Sequence, residues 1–143
     1  REASAPFFVH ANVPEWVEVP LPDSITGLAK LDGFLTSRFA HESRPMAFKL
    51  SGWIARAEIH VVDLPLGAVV RSPDDAHKGR KTFVRKDVEA DMLGFFSTMH
   101  KAVFTHHDTN IHVHLVNKER SWMGHVDGLG FDPKAIRLFV QVQ

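Results

Sequence analysis

Apolar residues in this chain mostly alternate with polar ones, the two-residue period of extended strands. In "IHVHLV" (residues 111–116) Ile111, Val113 and Leu115 fall on one side of a strand, and His112 and His114 on the other. "MGHVDGL" (123–129) reads as its hairpin partner across the polar turn "NKERSW", and "KAIRLFVQVQ" (134–143) as a closing strand. The closing strand sets Ile136, Leu138, Val140 and Val142 against Phe139. That face is core by default and an edge for a partner otherwise.

Upstream, "VEADMLGFF" (88–96) and "VEVP" (17–20) read as further strands, the second closed by proline. "MAFKLSGWIARAEIHVVDL" (46–64) is strand-like, with a break or bulge expected at Gly52. From Ala55 onward Ala55, Ala57, Ile59 and Val61 form an apolar row, and Arg56, Glu58 and His60 a polar one. One segment breaks the pattern. In "PDSITGLAKLDGFLTSRF" (22–39) Ile25, Leu28, Leu31 and Leu35 recur at helical spacing, with Asp23 or Ser24 placed to cap. "RSPDDAHKGRK" (71–81) reads as a solvated loop with the length of a lid, and "STMHKAVFTHHDTN" (97–110) as a connection. The whole predicts one α+β domain over residues 1–143: a mainly antiparallel, curved sheet or partial barrel with one or two helices.

Composition narrows the classes. Hydrophobic residues are 44% and charged ones 24% of 143 residues, a soluble globular balance. The 17 basic and 17 acidic residues cancel without forming a basic stripe, so no nucleic-acid partner and no membrane surface is expected. No apolar run approaches the roughly 20 residues of a spanning helix. There is no cysteine, which removes disulfide and thiolate chemistry and leaves the compartment open. The opening "REASAPFF" lacks the apolar core of a signal peptide, and fits a mature end after cleavage or a boundary within a longer chain.

Half of the ten histidines fall within residues 105–129: His106, His107, His112, His114 and His125. A His-x-His pair on a strand is ordinarily only exposed to water. The spacing adds a third imidazole, because a turn centred between Glu119 and Arg120 sets His114 directly opposite His125, on the same face. Three imidazoles with an open position suit a catalytic zinc site, although imidazole also binds iron, nickel and copper. A cupin also carries His-x-His followed by glutamate, here Glu119, but its last histidine comes from a separate motif. His106 and His107, beside Asp108, read as a solvated loop that rims the site, and the sequence pattern assigns no role to His10, His41, His77 and His100.

"IHVHLVNKERSWMGHV" resembles the metal motif of the α-acetolactate decarboxylase family: a His-x-His strand, a short charged turn with an arginine, then Gly-His-Val. "RPMAFKLSGWIARAEIHVV" and "DVEADMLGFFS" are similar in pattern to upstream strands of that family. The resemblance covers Ser24 to Val142 and corresponds to the second half of a typical member. It implies that His112, His114 and His125 bind a zinc-type divalent metal. In the family, the first half and a C-terminal tail each supply an active-site glutamate, and residues 1–143 have no counterpart of either. The family's active-site arginine follows the glycine matching Gly52 by eight residues, a position held here by His60. Arg56, Glu58 and His60 are therefore the expected substitutes for the catalytic groups.

The resemblance implies decarboxylation of a small 2-hydroxy-3-keto acid such as acetolactate, a small-molecule substrate, and a homo-oligomer if missing groups are restored across an interface. Two other readings are open. A metal-bound water on three histidines is competent for ester hydrolysis. The plant-and-prokaryote conserved domain has a similar His-x-His hairpin and serves as a trimeric binding or assembly module.

Overall fold

The computed structural model describes residues 10–72, 75, 77–100 and 108–142. Six strands form one antiparallel sheet: β1 (Trp16–Val19), β2 (Met46–Val62), β3 (Arg80–Phe96), β4 (Ile111–Asn117), β5 (Met123–Gly130) and β6 (Ile136–Gln141). An α-helix, α1 (Leu28–Phe39), lies between β1 and β2, and a one-turn 3-10 helix, Pro133–Ala135, precedes β6. The strand order is β1-β6-β2-β3-β4-β5, with β5 pairing back onto β2. The expected α+β partial barrel is therefore present, as a ring of β2, β3, β4 and β5.

The length of β2 makes the ring possible. Its first half, Phe48–Gly52, pairs with β6, its second half, Arg56–His60, pairs with β5, and β3 runs along both. Changing neighbours midway requires a strong twist, and the inward face changes parity there. Met46, Phe48, Leu50 and Ile54 are buried, and then Ala57 and Ile59. The apolar row expected from Ala55 holds at Ala57 and Ile59 only: Ala55 is exposed and Val61 half-buried. The expected break at Gly52 is absent, because the strand runs straight through it. Gly52 has φ 143, which L side chains rarely adopt, and a Cβ there would collide with the carbonyl oxygen of Ala135. The bulge lies instead between Glu58 and Ile59, opposite β5.

The helix also starts later than expected. Neither Asp23 nor Ser24 caps it: the N-cap is Gly27, in extended backbone and with no side-chain hydrogen bond. Gly27 is held extended by a β-bridge to Gly130 at the end of β5, and Ile25 is turned by a bond from its N–H to the Pro22 carbonyl. Tertiary pairing thus overrides the local capping signal. Leu31 and Leu35 are fully buried, and Ile25 reaches the same core from the extended segment before the helix. No helix among the described residues is long and apolar enough to cross a membrane.

Candidate metal centre

The β4–β5 hairpin has the register that the sequence spacing implied. His114 pairs with His125, and Ile111, Val113 and Leu115 enter the core while His112 and His114 face outward. Asn117, 4% exposed at the end of β4, fixes that register. Its Oδ1 accepts from the backbone N–H groups of Ser121 and Trp122, both at 3.0 Å. Its Nδ2 donates to Glu119 Oε2 at 2.7 Å and to Ser121 Oγ at 2.9 Å. Arg120 turns the chain with φ 54. Glu119 is thereby committed to the turn, away from the histidines. Sequence reasoning missed Asn117; an asparagine ending an alternating strand before a charged turn was the available signal.

Ring closure brings in a third strand. His60 on β2 pairs directly with His125 on β5. His114, His125 and His60 therefore form one row across three neighbouring strands, sharing a face. Ring centroids lie 4.7 Å apart for His60–His125 and for His112–His125, 5.0 Å for His112–His114, and 5.4 Å for His114–His125. His112 Nε2 and His114 Nε2 are 3.1 Å apart.

Asp127, two residues beyond His125, completes the cluster. His60 Nδ1 lies 2.9 and 2.8 Å from its two oxygens, Arg80 Nη2 donates to Oδ2 at 2.9 Å, and His125 Nδ1 stands 3.5 Å from Oδ1. Burial pushes the Asp127 pKa up, but the hydrogen bond from His60 and the charges of His60, Arg80 and His125 outweigh it, and the net direction is down. An ionised carboxylate only accepts, so Nδ1 of His60 is the nitrogen that donates to Asp127, and in a neutral ring the lone pair would fall to Nε2. Asp127 and Arg80 were not legible as site residues. The ring closure that brings His60 and Arg80 to Asp127 on the hairpin has no sequence pattern of its own.

The other expected groups are placed as follows. Arg56 and Glu58 pair with each other, Nη2 to Oε2 at 3.0 Å, with side chains 51% and 40% exposed. They lie further along β2 from His60, opposite Gly130 and Gly128 of β5. Asp127, His125, Arg80, Leu28 and Thr109 border a cavity of about 260 Å³. His106 and His107 lie outside the described residues.

His60, His125 and Asp127 bring one ligand atom each to within 4.8 Å of one another, so the cluster can hold a metal ion. Without one, neutral imidazole is favoured: crowding by protein atoms, and next the charge of His60, lower the His114 pKa from its ordinary 6.5. The native state then binds fewer protons here than the unfolded chain, so stability rises with pH. The metal-free protein is expected to lose this contribution as pH falls below 6.5. The Asp127 contribution has the same proton sense in a lower window, and is lost only as pH falls below its ordinary 3.8. Urea midpoints that stay flat between pH 7.5 and 5.5 would contradict this ordering.

The fold and its cluster define a class, an antiparallel partial-barrel domain with a histidine–carboxylate group able to hold a metal ion. The family model for alpha-acetolactate decarboxylase matches residues 1–142, and the chain belongs to that family. No curated protein matches it in sequence. Among solved structures it is similar to α-acetolactate decarboxylase from Bacillus subtilis, at 13% identity and TM-score 0.70, covering 92% of this chain and 53% of that one. A metal-containing protein from Archaeoglobus fulgidus matches at 15% identity and TM-score 0.58, with 94% and 84% covered. A plant- and prokaryote-conserved protein from Pyrococcus horikoshii matches at 15% identity and TM-score 0.57, with 91% and 79% covered. The chain thus spans about half the length of the decarboxylase, and at these identities the likeness shows a shared fold.

Proposed function

We propose that this chain is the metal-holding part of a carbon–carbon lyase that decarboxylates a small 2-hydroxy-3-keto acid such as acetolactate. The observation that carries the reading is the convergence of His112, His114 and His125 on one face, in a chain of this family. The spacing of one donor pair supports it. Two nitrogens at about 2.0–2.1 Å from a tetrahedral zinc stand about 3.3 Å apart, and His112 Nε2 and His114 Nε2 are 3.1 Å apart with little adjustment needed. A bound divalent ion would supply Lewis-acid chemistry, drawing off through the hydroxyl and keto oxygens the electron density left when CO2 departs.

The chain's own residues divide the remaining work. Arg80, on the cavity beside His125, offers a guanidinium fork to the departing carboxylate, and Arg56 is a second cation along the same face of β2. Glu58, two residues before His60 on β2, is the carboxylic group we assign to returning a proton to the carbon that has lost CO2. Leu28, facing the same cavity, helps exclude water.

Elemental analysis of protein purified without an affinity tag, beside a His112→Ala, His114→Ala double variant, tests the reading. It is expected to show close to one equivalent of a transition metal in the parent and almost none in the variant, with CO2 released from acetolactate by the parent alone. Metal retention with ester cleavage and no CO2 release would instead make the protein a hydrolase. A parent that stays metal-free after incubation with zinc would remove both enzymatic readings. The binding or assembly role would then stand, on the fold shared with the Pyrococcus horikoshii protein.

A further inference from the structure

The hairpin accounts for three imidazoles, and ring closure adds another from a strand far away in sequence. We propose that His60 is a direct metal ligand, so that the centre has four imidazoles, with Asp127 as the positioning residue behind His60. This rests on the preceding reading that the hairpin histidines hold a metal.

Three observations carry it. First, β5 lies between β4 and β2, and the direct pairings His114–His125 and His125–His60 put all three residues in one row. Second, the His60 ring is as close to His125 as the His112 ring is, 4.7 Å in both cases, and closer than that of His114 at 5.4 Å. A metal centred on His125 and the hairpin pair is therefore within easy reach of His60. Third, Asp127 engages His60 through Nδ1 and leaves Nε2 as the outward nitrogen. With Nδ1 donating to a carboxylate, Nε2 presents its lone pair, the carboxylate–histidine–metal arrangement that orients a ligand and raises its basicity. The His60 side chain is 13% exposed, so little water competes for that lone pair.

The same contacts argue against Asp127 as the ligand in place of His60. Both its oxygens already face His60 Nδ1, and Arg80 donates to one of them. Pulling the carboxylate onto an ion would abandon a charge-assisted pair. Four imidazoles leave a fifth position for a substrate oxygen, which cobalt, nickel and iron accept readily and zinc accepts in some catalytic sites.

The test is X-ray absorption on the cobalt-loaded and zinc-loaded protein, counting imidazoles in the metal's inner shell, with affinities from chelator competition. The parent is expected to show four imidazoles. His60→Gln should show three, with affinity lowered more than about 100-fold, whereas Asp127→Asn should keep four and lose the about 10–100-fold typical of an outer-shell partner. A parent with three imidazoles overturns the proposal, as does a His60→Gln protein that binds as tightly as the parent. The count on the parent decides the matter even if His60→Gln does not fold. A parent that takes up neither ion would instead remove the metal reading of the whole hairpin, and the proposal with it.

Discussion

Replacing His125 by alanine is expected to abolish stabilisation by zinc in a single step. Saturating metal at a hundred times its dissociation constant stabilises a folded domain by about 2.7 kcal/mol, on the order of 10 °C in melting temperature for a chain of this size. In His125→Ala that rise should disappear at any zinc concentration the parent needs for saturation. The reason lies in placement. His125 is in ring contact with each of the other three imidazoles, at 4.7, 4.7 and 5.4 Å, and it sits on the strand between the two others. Loss of His114 leaves His112, His125 and His60 clustered. Loss of His125 leaves His60 on one side and the His-x-His pair on the other, with no ligand to join them. Without metal the variant should lose only the ordinary cost of truncating a largely buried side chain, about 1 kcal/mol. Thermal melts with and without zinc separate the two effects. A zinc-dependent rise equal to the parent's would show that the metal lies elsewhere.

The hairpin half of this centre was legible because two local periodicities suffice for it. Alternation fixes which face His112 and His114 take, and a symmetric turn fixes which residue they meet. Both are properties of a contiguous stretch of about twenty residues, and Asn117 reinforces them by holding the turn with its own side chain. His60 was marked as a site residue through the resemblance and the polar row of β2. Its partner Asp127 was not, although it stands two residues from His125 on the same strand face. Nothing local distinguishes Asp127 from an ordinary exposed carboxylate. It becomes a site residue only because β5 closes onto β2, a pairing between residues more than sixty apart in sequence.

Where the sequence reading departed from the fold, long-range pairing was again the cause. The capping signals at Asp23 and Ser24 are genuine local preferences, but the bridge from Gly27 to Gly130 keeps the backbone extended past them. The regular alternation from Ala55 to Val61 suggested one steady buried face. The strand instead exchanges β6 for β5 as its neighbour and turns a different parity inward. β3 begins at Arg80, well before the apolar stretch that marked it, because its outer half is exposed and polar and pairs only with β2. Alternation reports burial, and that part of β3 has little to report.

That long-range pairing also identifies the side chain whose loss should cost most. Phe48 is fully buried in β2, with Gly94 of β3 on one side and Val140 of β6 on the other. Its ring fills the space a side chain at position 94 would need: a Cβ on Gly94 would stand 2.5 Å from Phe48 Cζ and 2.7 Å from the carbonyl oxygen of His112. Phe48→Ala therefore opens a cavity whose opposite wall has no side chain to move in. Phenylalanine-to-alanine changes in cores cost about 3–5 kcal/mol, with the upper part of that span where a site cannot collapse. Since domains of this kind are stable by about 5–15 kcal/mol, the urea midpoint should fall by a large fraction, with little change in slope. The histidines face away from this core, so the folded variant should still bind zinc with near-parental affinity at low temperature, the inverse of the His125→Ala behaviour. A Phe48→Ala protein of parental stability would mean that the β2–β3–β6 junction is not packed as described. One that is stable but unable to bind zinc would mean that the ring of strands and the metal face are mechanically one unit.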